Sequence, residues 1–147
     1  MNLSGLKWPV IIGVVVLIGW LMTSSGVNYM FNKFTASTPG ADAAADDRSE
    51  SGLSWLGKYS MTLFKYEKAA FIFETAVTRY PEGKNRWYNQ YHMARCMEKL
   101  GQYDRAVALL RECAAVDAHA KDNRVARSQA ITSRVEKLIE VHQLEAR

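Results

Sequence analysis

The chain begins with a stretch in which apolar positions are not interrupted by charge. No charged residue occurs between Lys7 and Lys33, and the segment from Trp8 to Met22 is almost entirely apolar. About 20 predominantly apolar residues are needed for one helix to cross the hydrocarbon core of a bilayer. We therefore predict a transmembrane helix at about residues 8–31, within an N-terminal membrane anchor that comprises residues 1–34.

Three other structures compete with a permanent anchor: a cleaved signal peptide, a buried helix of a globular protein, and a helix that lies flat in the membrane interface. A basic residue before a short apolar core also fits a signal peptide, with Ser24 and Gly26 as small residues near a cleavage site. An interfacial helix requires a charged face, which this stretch lacks. The length of the uncharged run favours the uncleaved anchor over these alternatives.

Small residues within the anchor are candidates for close packing against another membrane helix, and they are Gly13, Gly19 and Thr23. Lys7 precedes the apolar run, whereas acidic residues are frequent after it. Because basic residues favour the cytoplasmic side of a membrane, we expect the N-terminus there. The prediction is a single-pass protein of the bacterial inner membrane whose C-terminal part lies in the periplasm.

Residues 35–52 are small and polar, without an aromatic or large aliphatic side chain. Such a composition buries too little apolar surface to offset the entropy that is lost when the chain is ordered. The sequence therefore predicts a flexible acidic linker between the anchor and a folded domain at residues 53–147.

From Leu53 onward the apolar residues recur three and four positions apart, which is the pattern of amphipathic helices. One such series contains Tyr66, Ala69, Phe73 and Ala76, and a second follows after Gly101. No segment alternates apolar and polar residues between turn signals, as strands do. We therefore predict an all-α domain.

The two helical series resemble each other. Tyr66-Glu67-Lys68-Ala69 corresponds to Tyr103-Asp104-Arg105-Ala106, 37 residues later, and a large apolar residue follows at the same distance in each copy. The pattern resembles the tetratricopeptide repeat, a helix-turn-helix unit of about 34 residues. The resemblance implies a short array of about two repeats, at about residues 51–83 and 85–118. A capping helix at about residues 122–145 would follow, because this segment has an apolar face.

The resemblance also implies where a partner binds. Tetratricopeptide repeats resemble one another in holding peptides or partner helices on the surface that is formed by the first helix of each repeat. The corresponding positions here are Tyr88, Tyr91, Arg95 and Lys99 in the second repeat and Lys58 in the first. Tyrosines beside basic residues suit an extended segment that carries an acidic group. The alternative is an ordinary solvated helix face.

The sequence contains no glycine-rich phosphate loop, no metal-ligand spacing and no nucleophile motif. We therefore predict no enzyme activity, no cofactor and no metal. Exposed or capping roles are expected for His92, His119 and His142. Cys96 and Cys113 are expected to be buried free thiols rather than a disulfide, although an oxidising periplasm would permit pairing.

The distribution of charge adds little to the predicted fold and function. Residues 51–147 contain 16 basic and 11 acidic residues, and the basic residues are spread through every predicted helix. A nucleic-acid surface would instead cluster them in a stripe. We therefore predict protein partners, with lipid contacts through the N-terminal helix, and no nucleic acid.

These observations predict a membrane-anchored scaffold or adaptor that mediates protein–protein interactions. We expect a subunit or an assembly or accessory factor of a bacterial envelope complex. The alternative is a receptor or chaperone-like factor for translocated polypeptides. Leu53 and Trp55 open the first repeat without a preceding repeat to cover them. Self-association or a partner subunit is therefore expected at this end, unless these side chains pack within their own repeat.

Overall fold

The computed structural model describes residues 3–144, with side chains from Lys7 onward. Within this range the chain forms eight helices and no strand, which confirms the predicted all-α class. The helices are α1 (Leu3–Leu21), α2 (Ser24–Thr35), α3 (Ala43–Thr62), α4 (Tyr66–Arg79), α5 (Arg86–Lys99), α6 (Tyr103–Ala115), α7 (Ala118–Lys121) and α8 (Ser128–His142). Residue 145, the expected end of the capping helix, lies outside the described range, as do residues 1 and 2.

The single helix that was predicted at residues 8–31 is instead two helices, α1 and α2, with a bend of 75° between them. Thr23 is the N-cap of α2, because its hydroxyl accepts a hydrogen bond from the Gly26 amide at 3.3 Å. A Cβ at position 26 would lie 2.5 Å from the Trp20 carbonyl oxygen, so only glycine permits this close approach. The small polar residues that follow Leu21 therefore begin a new helix.

The prediction of a flexible linker at residues 35–52 is wrong for its second half, because α3 begins at Ala43. Asp42 caps this helix by accepting a hydrogen bond from the Ala44 amide at 3.0 Å, and three alanines follow. Alanine has the highest helix propensity, so a capped alanine run forms a helix without large apolar residues. Ser49 and Glu50, near the middle of α3, are buried.

Two helical hairpins form the centre of the molecule. The first is α3 with α4 and the second is α5 with α6, and α4 packs against α5 between them. Gly101 ends the turn of the second hairpin with a φ of +74°, a backbone conformation that glycine adopts without strain. Phe64, 37 residues earlier, holds the same left-handed conformation with a φ of +59°. The two hairpins therefore share one turn geometry despite different residues.

Small residues lie where the two helices of each hairpin touch. Gly57 on α3 faces the Phe73 ring on α4, and a Cβ at position 57 would lie only 2.6 Å from that ring. In the second hairpin Ala94 and Leu110 belong to one buried cluster. A small and a large buried residue thus recur 37 positions later in the second hairpin.

The two hairpins are covered at opposite ends by different elements. α8 closes the second hairpin, since Ile131 and Val135 are buried in the same cluster as Leu110. α2 covers the first hairpin with Val27, and the partly buried Met30, Phe31 and Phe34 pack beside it. This corrects the expectation that Leu53 lacks a cover, because Leu53 is fully buried in the cluster that contains Val27.

Polar contacts also join α2 and α3 to the rest of the molecule. The Arg79 guanidinium of α4 donates hydrogen bonds to the carbonyl oxygens of Thr35, the last residue of α2, and of Ser37. The buried Glu50 carboxylate of α3 accepts a hydrogen bond from the Asn85 amide at 2.7 Å. Burial raises the pKa of Glu50. These contacts fix α2 and the start of α3 within the helical array.

Candidate functional site

The predicted partner-binding residues lie on α5, with one on α3. The structure brings Tyr88, Tyr91 and Arg95 together, because the spacing of three and four residues places them on one side of α5. All three are half-buried, whereas Lys99 is exposed in the last turn of α5 and Lys58 is exposed on α3. We call Tyr88, Tyr91 and Arg95, with Lys58 and Lys99, the α5 surface. Its binding role stays a prediction.

His92 lies at the centre of this surface, and the expectation of an exposed or capping histidine is wrong for it. Its ring is 4.4 Å from the Tyr88 ring and 5.4 Å from the Tyr91 ring, measured between centroids. On the other side it stacks on Phe73 of α4 at 5.7 Å. Only 9% of His92 is exposed. The histidine therefore supports both tyrosines from beneath.

The electrostatic environment of His92 is strongly positive. Burial, together with the nearby charges of Lys58, Arg95 and Arg124, lowers the pKa of His92 to about 4, whereas Asp122 acts in the opposite direction. The imidazole is consequently neutral near pH 7. Three cations from α3, α5 and the segment before α8 therefore act on a single buried ring.

Arg124 extends the α5 surface from outside the helix. Its guanidinium lies 4.5 Å from the centre of the Tyr88 ring, within the range of a cation–π interaction. It also pairs with Asp122 at 2.6 Å and donates a hydrogen bond to the Asn85 side-chain oxygen at 2.7 Å. The hydrogen bonds that Arg124 donates to Asp122 lower the pKa of the Asp122 carboxyl. Arg124 is therefore held in a fixed orientation over Tyr88.

Glu98, the acidic residue of α5, pairs with basic side chains of the same molecule. Arg134 of α8 binds both carboxylate oxygens of Glu98 in a bidentate pair, with Nε distances of 2.7 Å and 2.9 Å. Arg95 lies 3.9 Å from the same carboxylate and donates a hydrogen bond to the Tyr91 hydroxyl at 3.3 Å. Because Arg134 neutralises Glu98, the side chain of Arg95 keeps donors for a further acceptor.

Sequence reasoning missed His92, Arg124 and Arg134. The position of His92 contained a signal, since it lies four residues after Tyr88 and one after Tyr91 on the same helix. Arg124 and Arg134 come from the C-terminal part of the chain, where no local pattern relates them to α5. Their positions follow only from how α7 and α8 pack against the second hairpin.

The two cysteines are buried and free, as predicted. Burial raises the pKa of each thiol to about 12, so neither is a reactive thiolate near neutral pH. Among the residues that the structure describes, no group of three or more His, Cys, Asp or Glu side chains could hold a metal ion.

α1 is the most exposed apolar element of the described chain. Large apolar side chains from Trp8 to Trp20 are exposed on every side of the helix. A Cβ at Gly13 or Gly19 would meet nothing within 4 Å, whereas Thr23 lies at the break after α1. Between residues 3 and 144, no single helix is long and apolar enough to cross a membrane; α1 and α2 reach this limit only together, across their bend.

Comparison with known proteins finds a family match for one segment of the chain. Residues 88–116, most of α5 and all of α6, match the family described as Tetratricopeptide repeat. The match confirms the predicted resemblance for the second hairpin. Repeats of this family are typical of non-catalytic modules that bind other proteins. No curated protein and no solved structure matches the chain.

Proposed function

We propose that this chain is a tetratricopeptide adaptor whose α5 surface binds an acidic segment of a partner protein. The observation that carries the proposal is the placement of Tyr88 and Tyr91 among cations. Arg95 and Arg124 flank these rings, and Lys58 acts on the same centre from α3. Two rings provide apolar contact area, and guanidinium groups bind carboxylates with directed hydrogen bonds.

We further propose that α1 attaches the adaptor to a membrane. Its side chains are apolar and exposed around the whole helix, a composition that suits lipid rather than water. We place the N-terminus in the cytoplasm of a bacterium and the helical array in the periplasm, because Lys7 precedes the apolar run. Gly13 and Gly19 then offer a smooth face to a second membrane helix.

In this role the protein is a scaffold subunit or accessory factor of an envelope complex. Membrane attachment confines the adaptor and its partner to one plane, which raises their effective concentration and strengthens weak contacts. A receptor for translocated polypeptides would instead bind many chains transiently. The two roles differ in whether a fixed set of proteins stays bound to the α5 surface.

The test is purification of the full chain from its native membrane in mild detergent, with quantitative mass spectrometry of the bound proteins. The Tyr91→Ala, Arg95→Ala double variant removes one ring and one guanidinium from the α5 surface. We expect it to lose the partners by about 30-fold, as for two interface anchors. The Lys137→Ala, Val141→Ala variant alters the exposed side of α8 and serves as the matched control.

A fixed set of partners that stays with the control and is lost with the double variant supports the adaptor. Equal retention by both variants would contradict a binding role of the α5 surface. Many weakly retained proteins, without a constant set, would favour the receptor. Circular dichroism of each variant establishes that the helices are intact.

A further inference from the structure

The end of α1 is surrounded by a group of aromatic and basic residues that the proposed function does not use. They belong to α2, to the turn between α3 and α4 and to the first turn of α4, and together with Leu100 after α5 they enclose an open cavity of about 550 Å³. Its lining consists of Ser24, Val27, Asn28, Phe64, Lys65, Tyr66, Glu67, Lys68 and Leu100.

A direct contact fixes this turn against the end of α1. The Lys65 ammonium donates a hydrogen bond to the Met22 carbonyl oxygen at 2.8 Å, across 43 positions of sequence. Met22 immediately follows Leu21, the last residue of α1. When α1 is inserted in a bilayer, the α3–α4 turn therefore lies at the level at which the helix leaves the membrane.

Exposed aromatic side chains occur at this turn, on α4 and on both sides of the α1–α2 bend. Phe64 is 77% exposed, although it occupies a turn position that glycine fills in the second hairpin. Phe71 is half-exposed beside Phe31, with 5.3 Å between the ring centroids. Trp20 and Tyr29 form a second exposed pair across the bend at 5.9 Å. Aromatic side chains favour the interface between lipid and water.

The cavity is lined by two lysines and one acid. Lys68 holds its ammonium 5.0 Å from the centre of the Phe31 ring and 5.3 Å from that of Phe71. Lys65 uses one donor for Met22, and an ammonium has three. Glu67 is exposed and opposes part of this charge. Two ammonium groups beside exposed rings match an anionic phosphate that is attached to an apolar molecule.

We propose that the α3–α4 turn docks on the membrane surface and that its cavity holds the headgroup of an anionic phospholipid. Phe64 enters the interface, and Lys65 and Lys68 bind the headgroup phosphate. The inference rests on the proposed attachment of α1, which brings the turn to the bilayer. Docking fixes the orientation of the helical array relative to the membrane, and with it the direction in which the α5 surface faces.

The test places a fluorescent label at the docking turn. The full chain with Phe64→Cys is labelled and reconstituted into vesicles of phosphatidylcholine with or without phosphatidylglycerol, some lipids carrying a nitroxide quencher at the headgroup. Cys96 and Cys113 are buried and do not compete for the label. Val141→Cys, exposed on α8, is the matched label site. Flotation with the vesicles measures attachment separately.

We expect quenching at position 64 and none at position 141, with a larger docked fraction when phosphatidylglycerol is present. Lys65→Gln with Lys68→Gln lowers the ratio of docked to undocked chains by about 25-fold in the anionic vesicles, because each lysine near an anionic surface contributes about fivefold. Lys65→Arg with Lys68→Arg retains docking. The control pair Lys121→Gln with Lys137→Gln, remote from the turn in sequence, leaves the ratio unchanged.

Two failures are distinguishable. Chains that float with the vesicles but show equal quenching at positions 64 and 141 overturn the docking inference and leave attachment by α1 intact. Chains that do not float overturn attachment and docking together. Quenching at position 64 that is equal in neutral and anionic vesicles overturns headgroup binding.

Discussion

Trp55 and His92 occupy equivalent positions in the two hairpins, 37 residues apart, yet their surroundings differ. Trp55 is 56% exposed, whereas His92 is 9% exposed beneath two tyrosines and against Phe73 of the preceding hairpin. A complete helical pair, α3 and α4, packs against α5, whereas α2 is the preceding helix that packs against α3. α2 therefore replaces one helix of a preceding repeat, and the place of the other helix stays open.

The turns show the same contrast on a smaller scale. Gly101 and Phe64 both have positive φ, and only Gly101 does so without steric strain. The side chain of Phe64 is largely exposed, so packing against the core does not explain the choice of phenylalanine. In this account Phe64 has an interfacial role that the second hairpin, farther along the chain from α1, does not require.

The largest effect is expected where α2 covers the first hairpin. Leu53→Ala creates a cavity beneath Val27 and should lower the free energy of unfolding by about 3 kcal/mol. Trp55→Ala, two residues later on the same helix, removes an exposed ring that stacks on Tyr59 and should cost about 1 kcal/mol. Urea unfolding of the full chain in detergent measures both. Equal losses of unfolding free energy in the two variants would contradict the conclusion that α2 covers Leu53.

A second experiment exchanges the contact between the helices of one hairpin for that of the other. Gly57→Ala forces a methyl group against the buried Phe73 ring and should cost about 2 kcal/mol. Adding Phe73→Leu reproduces the alanine and leucine of the second hairpin and should restore more than half of this loss. The double-mutant cycle is measured by urea unfolding. Additive losses would show that the two hairpins pack differently.

Substitutions in the turns of the two hairpins should change stability in opposite directions. Gly101→Ala should destabilise by about 1 kcal/mol, because an alanine at this φ is strained although its Cβ would meet no atom within 4 Å. Phe64→Gly should stabilise the first hairpin by about 0.5 kcal/mol, since it removes the same strain. Thermal unfolding detects the two shifts. A stabilising Gly101→Ala would refute the shared turn geometry.

The last prediction concerns pH. The folded pKa of His92, about 4, lies below the ordinary value of 6.5, so the unfolded chain binds this proton first. The free energy of unfolding should therefore fall as the pH decreases from about 6.5 toward 4. The loss that is due to His92 should be about 0.8 kcal/mol at pH 6. His92→Gln removes this part of the pH dependence. Identical slopes in the variant and the parent would show that His92 titrates normally.

The sequence predicted the second hairpin well because its signals are local. The helical spacing, the glycine turn and the small residue at position 94 all lie within one repeat. The division of the N-terminal run was missed, although Val27, Met30, Phe31 and Phe34 have the spacing of a helix that packs on one face. The high overall hydrophobicity of the N-terminal run made this periodicity difficult to recognise. The capping role of Thr23 was also not recognised.

The acidic segment was misjudged for the opposite reason. Few apolar residues in residues 43–52 suggested disorder, but a cap and three alanines are sufficient for a helix that continues into an apolar one. The candidate site was predicted in part, since Tyr88, Tyr91 and Arg95 share one face of α5. Its charges from Arg124 and Arg134 depend on long-range packing, which a repeat pattern does not contain.

The most direct test of the account is photo-crosslinking in the native membrane. A benzoylphenylalanine at Tyr91 places the probe on the α5 surface, and the same residue at Trp55 places it at the open end of the first hairpin. We predict that a partner crosslinks at position 91 and not at position 55, and that Arg95→Ala abolishes the product. A partner that crosslinks at position 55 alone would contradict binding to the α5 surface.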